Sequence, residues 1–403
     1  MNTSVKNGFE PVVRFAVMSD CHYSEKHPEY RQRMVETVKF IYHYSNGEKY
    51  KNLDAVYVVG DFADLGKTEE MQWFANDMKE CIQDGTKLVV TMANHELHYM
   101  PDYNVALNDF KNIFKMDYDR HEIMGGYHFI SLSSIRDKGP WDDSFNDEKK
   151  AFLKEKLEIA RKDTGNKPIF VFQHAGIPET IAGGVGGHTE LYSILSNYPQ
   201  VIDFSGHSHN PVNDPREINQ KNFTCVGTGS MSYLSTSAAW HDFHIEGNSG
   251  LGKEQAHMLI VEADANGRIR ILGLDAVEKK FISESFIADC HDKSKHIYTM
   301  QRATNAPKPY FETGAKPVVN KVNGKTVVTF PAAKCEGERV KEYCVRLTDE
   351  KGVVLSQKNV FSDYMHYTQQ SVVNVEFDEN FGNVSGATVY AVGFWDNVSQ
   401  PIE

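Results

Sequence analysis

The chain has 403 residues, of which 40% are hydrophobic and 24% are charged, so it can bury a core and is not disordered. This length predicts two or three domains of ordinary size. The formal net charge of −12 excludes a surface whose overall field attracts nucleic acid or an anionic membrane. If the substrate is an anion, something local must reverse the sign, as a bound cation would.

The cysteines and the N-terminal sequence bear on the compartment. The six cysteines are scattered without a CxxC pair, which is typical of a reducing compartment rather than of a disulfide framework. The N-terminus lacks a basic stretch followed by a long apolar run, and no apolar run reaches membrane-spanning length. We therefore expect a cytoplasmic protein without membrane partners, or an extracellular one if a leader has been removed. The oligomeric state stays open.

The first part of the chain alternates short apolar runs with amphipathic stretches, as strands and helices do in a layered α/β domain. The predicted strands of this part span residues 14–19, 53–59, 87–92, 127–131, 168–172 and 201–204. The predicted helices span residues 28–44, 68–82, 103–114 and 146–162. Further strands, with a hairpin turn at Asn266-Gly267, are predicted at 223–226, 257–262 and 268–274. The pattern predicts two packed sheets flanked by helices.

The last part of the chain has a different character. Residues 301–316 include Pro307 and Pro309 and show little apolar periodicity, so we interpret them as a linker. Beyond them, short alternating segments and turn signals are typical of a small all-β sandwich. Its strands are predicted at 325–330, 340–347, 371–377 and 387–394. The predicted organisation is a first domain over residues 1–300, the linker, and a second domain over residues 317–403.

Polar residues that can bind metals repeatedly follow the C-terminal ends of the predicted strands. In open α/β sheets, ligands bind at this edge. A single aspartate there usually caps a turn or a helix, and a lone histidine is more often a satisfied core or surface residue. Independent accidents would not place all of them after strands, so together they indicate one site. The fragments are Asp20-Cys21-His22, Gly60-Asp61, Asn94-His95-Glu96, His174 and His207-Ser208-His209.

These residue types suit two divalent cations about 3.5–4 Å apart, which need a shared carboxylate and further oxygen and nitrogen ligands. In D-x-H and H-x-H, alternate residues share one face of an extended segment, so both side chains point to the same side. Asp61 is the natural bridge, because its two oxygens can span both ions. Asn94 adds a neutral oxygen, which limits the total negative charge. Mixed histidine, aspartate and asparagine ligation suits manganese, iron or zinc.

In this order the fragments resemble the motifs of calcineurin-like metallophosphoesterases, namely D-x-H, G-D, G-N-H-(D/E), H and G-H-x-H. The chain has DCH at 20–22, GD at 60–61, NHE at 94–96, QH at 173–174 and GHSH at 206–209. The resemblance extends over roughly residues 12–275, and the joint motif is specific although each part is weak. It implies an α/β (α+β) sandwich of four layers with two central mixed β-sheets. The visible departure is Ala93 in place of glycine, which would be strained if φ is positive there.

Carried over residue by residue, the resemblance implies two metal sites that share Asp61. The first site would consist of Asp20, His22, Asp61 and His209. The second site would consist of Asp61, Asn94, His174 and His207. His95 would not bind a metal but would protonate or stabilise the leaving oxygen. Glu96 would orient His95 through a hydrogen bond.

The resemblance implies a metal-dependent phosphoesterase that cleaves a small phosphate ester by attack of a hydroxide bridging the two ions. A phosphodiester is the expected substrate, with cyclic nucleotides among the candidates. A nuclease acting on a nucleic-acid polymer is not expected, because the chain is acidic and has no basic stripe. The alternatives are a phosphomonoesterase of the same family and a non-catalytic scaffold on the same fold. A scaffold is disfavoured, because such relatives lose ligands that this chain keeps.

Two histidines outside the ligand motifs are candidates for substrate binding. His98 follows the Asn94-His95-Glu96 fragment, although a plain surface loop is an equal interpretation. His188 ends the glycine-rich run 183–188, which we interpret as a mobile flap over the site. The run 227–230 either shapes the pocket floor or forms a plain turn.

The terminal domain resembles a fibronectin type III-like β-sandwich. The resemblance rests on Tyr343-Cys344-Val345 and on the closing run TVYAVGFWDNVSQP at 388–401. No residue in this domain has a catalytic pattern. The domain would pack beside the active site, mediate oligomerisation or bind a polymer.

Overall fold

The structure is a computed structural model that describes residues 8–99, 102–135, 144–184, 189–235, 252, 254–378 and 381–403. It divides the chain into two compact units. The N-terminal unit consists of residues 1–240 and 254–299, and the C-terminal unit consists of residues 241–253 and 300–403. Across the described ranges, no helix is both long enough and apolar enough to cross a membrane.

The N-terminal unit alternates strands and helices before it becomes mostly β. Its strands are β1 (Pro11–Met18), β2 (Ala55–Val59), β3 (Lys87–Thr91), β4 (Arg120–Met124), β5 (Tyr127–Ser131), β6 (Ile169–Ala175), β7 (Val201–Gly206), β8 (Ile218–Gln220), β9 (Thr224–Gly227), β10 (His257–Asp264), β11 (Ile269–Asp275) and β12 (Lys280–Ile287). Its helices are α1 (Pro28–Gly47), α2 (Thr68–Cys81), α3 (Asn94–His98), α4 (Tyr103–Phe114), α5 (Asp147–Thr164) and α6 (Thr189–Leu195). The sequence pattern predicted neither the short helix α3 nor the strands β4, β8 and β12.

The strands form two mixed sheets of six. The first has the order β12-β11-β10-β1-β2-β3, with β1, β2 and β3 parallel and the other three antiparallel. The second has the order β4-β5-β6-β7-β9-β8, with β5, β6, β7 and β9 parallel. Parallel neighbours need a long crossover connection, and α1, α2 and α5 provide it. The parallel strands carry continuous apolar runs because both of their faces are covered.

Three apolar clusters separate four layers. One cluster joins α1 and α2 to the outer face of the first sheet, and another joins α5 and α6 to the outer face of the second. The third lies between the sheets, where the ring of Phe15 is 5.1 Å from that of Phe129 and 4.9 Å from that of Phe170. Such edge-to-face aromatic contacts favour one fixed packing of the two sheets. This arrangement confirms the predicted four-layer sandwich.

Backbone hydrogen bonds continue past the ends of β1 and β2. The amide of Asp20 donates to the Gly60 carbonyl at 3.1 Å, and the amide of His22 donates to the Asp61 carbonyl at 3.0 Å. The two loops that follow these strands are therefore held side by side. These backbone hydrogen bonds explain why the polar residues after β1 and β2 lie together at the carboxyl edge of the sheet.

The run 228–232 has a structural role at the same edge. The amide of Thr228 donates to the Ser205 carbonyl at 2.9 Å, and the amide of Ser232 donates to the Asp20 carbonyl at 3.0 Å. The hydroxyl of Ser230 also lies 3.2 Å from the Asp20 carbonyl. The buried run 228–232 therefore connects the end of β1 to the end of β7 through hydrogen bonds.

The C-terminal unit contains two three-stranded antiparallel sheets around its own apolar core. The strands are β13 (Val318–Val322), β14 (Lys325–Pro331), β15 (Glu342–Thr348), β16 (Val354–Phe361), β17 (Val372–Phe377) and β18 (Gly386–Val392). The sheet orders are β13-β14-β17 and β16-β15-β18. The predicted all-β architecture of this part is confirmed. Within the predicted linker, a 3₁₀ helix spans Met300–Asn305, and Tyr310 forms an antiparallel bridge with Lys334.

Candidate metal centre

The backbone is unusual at the predicted ligands. Among the described residues, five of the ten non-glycine residues with positive φ are predicted metal ligands. They are Asp20, His22, Asp61, His207 and His209, with φ between 44° and 69°. A left-handed conformation is costly for residues with a Cβ and persists only where the surroundings impose it. The loops are therefore held in a conformation that turns these side chains toward one point.

The first cluster contains Asp20, His22 and His209, whose ligand atoms all lie within 4.8 Å of one another. The Nε2 atoms of His22 and His209 are 3.2 Å apart, and His209 Nε2 is 3.2 Å from Asp20 Oδ1. The side chains are almost fully buried. Three inward-facing donor atoms in so small a space match one cation with histidine and carboxylate ligands.

The second cluster contains Asp61, His174 and His207, again within 4.8 Å of one another. His174 Nε2 lies 3.0 Å from Asp61 Oδ2 and 3.8 Å from Asp20 Oδ1, so the two clusters adjoin. Asn94 Oδ1 is buried and has no hydrogen-bond partner in the described part of the chain. Leaving such an oxygen unpaired is costly, and a cation would satisfy it. The residues present therefore fit two metal ions: six of the seven predicted ligands lie in the two clusters, and the seventh, Asn94, offers a buried oxygen without a partner among the described residues.

The outer nitrogens of the histidines are anchored. His174 Nδ1 lies 2.7 Å from the Val59 carbonyl, and His209 Nδ1 lies 2.9 Å from the Tyr233 carbonyl. His22 Nδ1 lies 3.3 Å from Asp64 Oδ1. An Nδ1–H that donates outward leaves Nε2 as the free lone pair, which is the form that binds metals.

Electrostatics favour the ligand forms of Asp61 and His22, but not of His209: burial alone would lower the pKa of His209, yet Asp20 beside it raises that pKa above its ordinary value. Burial alone would raise the pKa of Asp61, but His174 and His95 beside it hold that pKa well below its ordinary value. Burial lowers the pKa of His22, which favours the neutral imidazole. Burial raises the pKa of the Cys21 thiol well above its ordinary value, so the thiolate that a nucleophile requires is disfavoured.

The predicted hydrogen bond from Glu96 to His95 is replaced by a different arrangement. The Glu96 carboxylate is buried and accepts from the backbone amides of Asp61, Ala63 and Ala93 at 3.1, 2.8 and 2.8 Å. Glu96 therefore fixes the loop that carries Asp61 and does not orient the histidine ring. The sequence pattern predicted the wrong partner because a glutamate in the first turn of a helix can accept hydrogen bonds from backbone amides that have no partner within the helix.

Asp64 is the residue that orients His95. His95 Nδ1 lies 2.7 Å from the Asp64 carbonyl and 3.9 Å from Asp64 Oδ1, while the backbone amide of His95 donates to Asp61 Oδ1 at 3.0 Å. His95 Nε2 then faces the clusters, 4.0 Å from Asp61 Oδ2. The 2.7 Å contact is made by a backbone carbonyl, which any residue at position 64 would supply, so no sequence pattern marks this role.

Ala93 fits its position without strain. Its φ of −140° is ordinary extended backbone, so the absence of the family's glycine has no conformational cost. Gly60, which lies beside Ala93, is the position that requires glycine. Gly60 has a φ of +80°, and a Cβ there would lie 2.5 Å from both the Ala93 Cβ and His174 Nδ1. The close approach of the two strands thus requires glycine at 60 and accepts alanine at 93.

The remaining predicted contacts have mixed outcomes. His98 is half-buried, and its ring packs against Tyr99 with centroids 4.6 Å apart. His188 lies outside the described residues, as does most of the predicted flap. Tyr233 was not predicted, yet its ring lies 4.3 Å from that of His209. No local pattern marks it, because the contact joins it to a residue on another loop.

Comparison with known proteins finds a family model that matches the first part of the chain. A family model described as calcineurin-like phosphoesterase matches residues 13–211. This range contains both clusters and His95. No curated protein matches the sequence.

Several solved structures match parts of the chain at low identity. A purple acid phosphatase from yellow lupin (Lupinus luteus) seeds is 14% identical with a TM-score of 0.49, and the match covers 70% of this chain and 54% of that one. A protein of unknown function from Aquifex aeolicus is 16% identical with a TM-score of 0.25, covering 47% and 89%. A β-glucuronidase from Parabacteroides merdae is 12% identical with a TM-score of 0.25, covering 98% and 61%. The chain spans only about half of the lupin protein. Similarities this distant carry no information on activity.

Proposed function

We propose that the chain is a calcineurin-like phosphoesterase, a hydrolase of phosphoric esters, and that it cleaves small phosphodiesters. The observation that carries this proposal is the pair of adjoining clusters around Asp20 and Asp61, with His95 beside them. The proposed substrate is a small molecule rather than a nucleic-acid polymer, because the chain carries a net charge of −12.

Two cations are the cofactors that the clusters would hold. Asp20, His22 and His209 would bind the first, and Asp61, His174 and His207 would bind the second. We propose that Asn94 joins the second site and that Asp61 is shared by both. When bound, such ions supply Lewis acidity toward the phosphoryl oxygens and lower the pKa of a bound water. Histidine, aspartate and asparagine together suit manganese, iron or zinc.

His95 would protonate the leaving oxygen. Its Nδ1–H donates to the Asp64 carbonyl, so a second proton can only be held at Nε2, the atom that faces the clusters. The imidazolium form therefore presents its Nε2–H to the substrate side. Such a general acid contributes about 10²–10⁴-fold to the rate.

The charges around the clusters favour a diester over a monoester. A phosphomonoester carries about −1.5 to −2 charges at neutral pH, whereas a diester carries one. The described contacts of the clusters involve histidine, aspartate, asparagine, glutamate and tyrosine, and no lysine or arginine from the described residues joins them. Asp64, whose side chain is 29% exposed, adds negative charge at the rim. A diester carries less negative charge than a monoester and would therefore be repelled less by Asp64 at this rim.

The test is a substrate panel on metal-loaded protein. We expect bis(4-nitrophenyl) phosphate and cyclic nucleotides to be cleaved with higher kcat/KM than 4-nitrophenyl phosphate. A preference for the monoester would make the protein a phosphomonoesterase. Failure to cleave any of them, with both metals bound, would favour a scaffold.

We further infer that the protein resides in a reducing compartment such as the cytoplasm. All six cysteines are free, including Cys335 and Cys344, which are close in sequence but not bonded.

A further inference from the structure

The guanidinium of Arg33 connects helix α1 to the run 228–232 at the edge that carries the metal ligands. Its Nη1 donates to the carbonyl of Met231 at 3.2 Å and to that of Ser232, and its Nη2 donates to the carbonyl of Glu254 at 3.4 Å. The Arg33 Cζ also lies 5.4 Å from the ring centroid of Tyr30. Within the described part of the chain, all hydrogen bonds of this half-buried guanidinium go to backbone carbonyls. Hydrogen bonds from a charged donor are stronger than neutral ones, so Arg33 can hold a backbone segment in place.

The same two residues of the run are held on their amide side by the end of β1. The amide of Met231 donates to the Ser19 carbonyl at 3.0 Å, and the amide of Ser232 donates to the Asp20 carbonyl at 3.0 Å. Both residues are fully buried, so a carbonyl left without its donor would be costly. The segment is therefore fixed between Arg33 on one side and a predicted metal ligand, Asp20, on the other.

Tyr233, the next residue, joins this segment to the first cluster. The Ser232 carbonyl that Arg33 holds and the Tyr233 amide belong to one planar peptide group. The Tyr233 carbonyl accepts from His209 Nδ1 at 2.9 Å, and the two ring centroids are 4.3 Å apart. The opposite nitrogen, His209 Nε2, lies 3.2 Å from Asp20 Oδ1. A change in the direction of the peptide group would therefore turn the ring that presents Nε2 to the metal site.

We propose that Arg33 is a positioning residue of the first metal site, because it holds the segment in which the Tyr233 carbonyl fixes His209 with Nε2 toward Asp20. The inference rests on the two-metal centre of the proposed function. Residues bonded directly to a metal ligand typically contribute about 10–100-fold to metal affinity. Arg33 acts one step further out, through Tyr233, so we expect a contribution of about tenfold. Its contacts lead to Asp20 and His209, so the effect should fall on one of the two ions.

The experiment measures zinc binding to metal-free protein. Calorimetry gives the affinities, and anomalous diffraction from crystals soaked in limiting zinc assigns each affinity to a site. Arg33→Met removes the donors and keeps the apolar length of the side chain, whereas Arg33→Lys keeps a cationic donor. The matched control is Arg339→Met in the C-terminal unit, because Arg339 Nη1 likewise donates to backbone carbonyls, those of Tyr364 at 3.0 Å and of His366.

We expect Arg33→Met to bind one ion about tenfold more weakly, with the lost density between Asp20, His22 and His209, and to bind the second ion as the wild type does. Arg33→Lys should lose less, and Arg339→Met should keep both affinities. Wild-type affinities in Arg33→Met, an equal loss at both ions, or the same loss in Arg339→Met would overturn the inference. If circular dichroism shows that Arg33→Met does not fold, Arg33→Gln, which keeps one neutral donor, takes its place with the same expectation.

Zinc binding separates this inference from the proposed function, because it requires no cleavage. If the wild type binds two ions but cleaves no ester of the panel, the phosphodiesterase proposal fails, and the zinc affinities still decide the role of Arg33. If diesters are cleaved and Arg33→Met keeps both affinities, the function stands and the role of Arg33 fails. A wild type that binds no zinc would overturn both.

Discussion

The Nε2 atoms of His22 and His209 face each other at 3.2 Å. Each histidine uses Nδ1 for an outer partner, Asp64 in one case and the Tyr233 carbonyl in the other. If both Nδ1 atoms carry protons, two lone pairs meet at Nε2, which is repulsive unless a cation lies near them. The fold thus brings two loops that are far apart in sequence into an arrangement in which a bound metal ion would remove this repulsion.

Replacing His95 by glutamine should lower the turnover of a diester without removing the metals. Glutamine cannot donate a full proton, so the leaving oxygen would depart without protonation, and we expect a fall in kcat of about 10²–10⁴-fold. Stopped assays and metal analysis on the same preparation measure the two effects. Loss of a metal ion would show that His95 is a ligand. An unchanged kcat would remove it from the chemistry.

Replacing Asp64 by asparagine should weaken the positioning of His22, whose Nδ1 lies beside the Asp64 carboxylate, and should keep the bond of His95 to the backbone carbonyl of residue 64. The amide keeps the size of the carboxylate but loses the charge that favours donation by His22 Nδ1, and changes to such outer partners cost about 10–100-fold in metal affinity or activity. The matched control is Asp163→Asn. Asp163 also pairs with a histidine, His128 Nε2 at 2.8 Å, but that pair takes no part in the clusters. Equal activity losses in both variants would contradict a role specific to Asp64.

Replacing Gly227 by alanine should destabilise the N-terminal unit. The new Cβ would lie 1.8 Å from Glu217 Oε2, and this buried side chain cannot swing away easily because its Oε1 accepts from Gly183 N at 2.8 Å and Asn210 Nδ2 at 2.9 Å. Overpacking of this kind typically costs about 1–3 kcal/mol. The control is Gly47→Ala, where a Cβ meets nothing within 4 Å. A Tm for Gly227→Ala equal to that of the control would contradict this packing.

Replacing Asp203 by asparagine should flatten the dependence of stability on pH. Burial raises the pKa of Asp203 from 3.8 to about 7, against the opposing hydrogen bond from Gln173. Below about pH 4 the acid is neutral in both states. Between about pH 4 and 7 only the unfolded state ionises, so the folded state loses stability over this range, and the loss is complete above about pH 7. The asparagine variant lacks this loss, which is at most about 4 kcal/mol.

Urea unfolding of metal-free wild type and variant at pH 4.5 and pH 8 measures that difference. We expect the variant to gain stability relative to the wild type at the higher pH. Glu217, whose pKa burial raises to about 8, is present in both proteins and cancels from the comparison. An identical pH slope in the two proteins would contradict the buried, neutral state of Asp203.

Local patterns predicted much of the fold because its parallel strands are continuous apolar runs. The strands that were missed have weaker patterns, since β12 is half-exposed and β8 is only three residues long. The short helix α3 was missed because it begins at a predicted ligand, Asn94, in a run too short to show periodicity.

The ligand residues could be predicted from sequence because they lie at or just beyond the ends of strands that share an edge, although β6 extends to Ala175 and so includes His174, which was predicted to follow that strand. Their outer partners could not, since these contacts are made by backbone carbonyls or by residues of other loops. Val59 and Tyr233 contribute only carbonyl oxygens to the histidines, which any residue could supply. The misassigned role of Glu96 has the same origin, because its three partners are backbone amides.

The most direct test of the two-metal centre is anomalous diffraction from crystals grown with manganese or zinc, for the wild type and for Asp61→Asn. The wild type should show two peaks, one between Asp20, His22 and His209 and one between Asn94, His174 and His207, with Asp61 reaching both. The variant should lose at least one of them. A wild-type map without metal density among these seven side chains, or two undiminished peaks in the variant, would contradict the assignment.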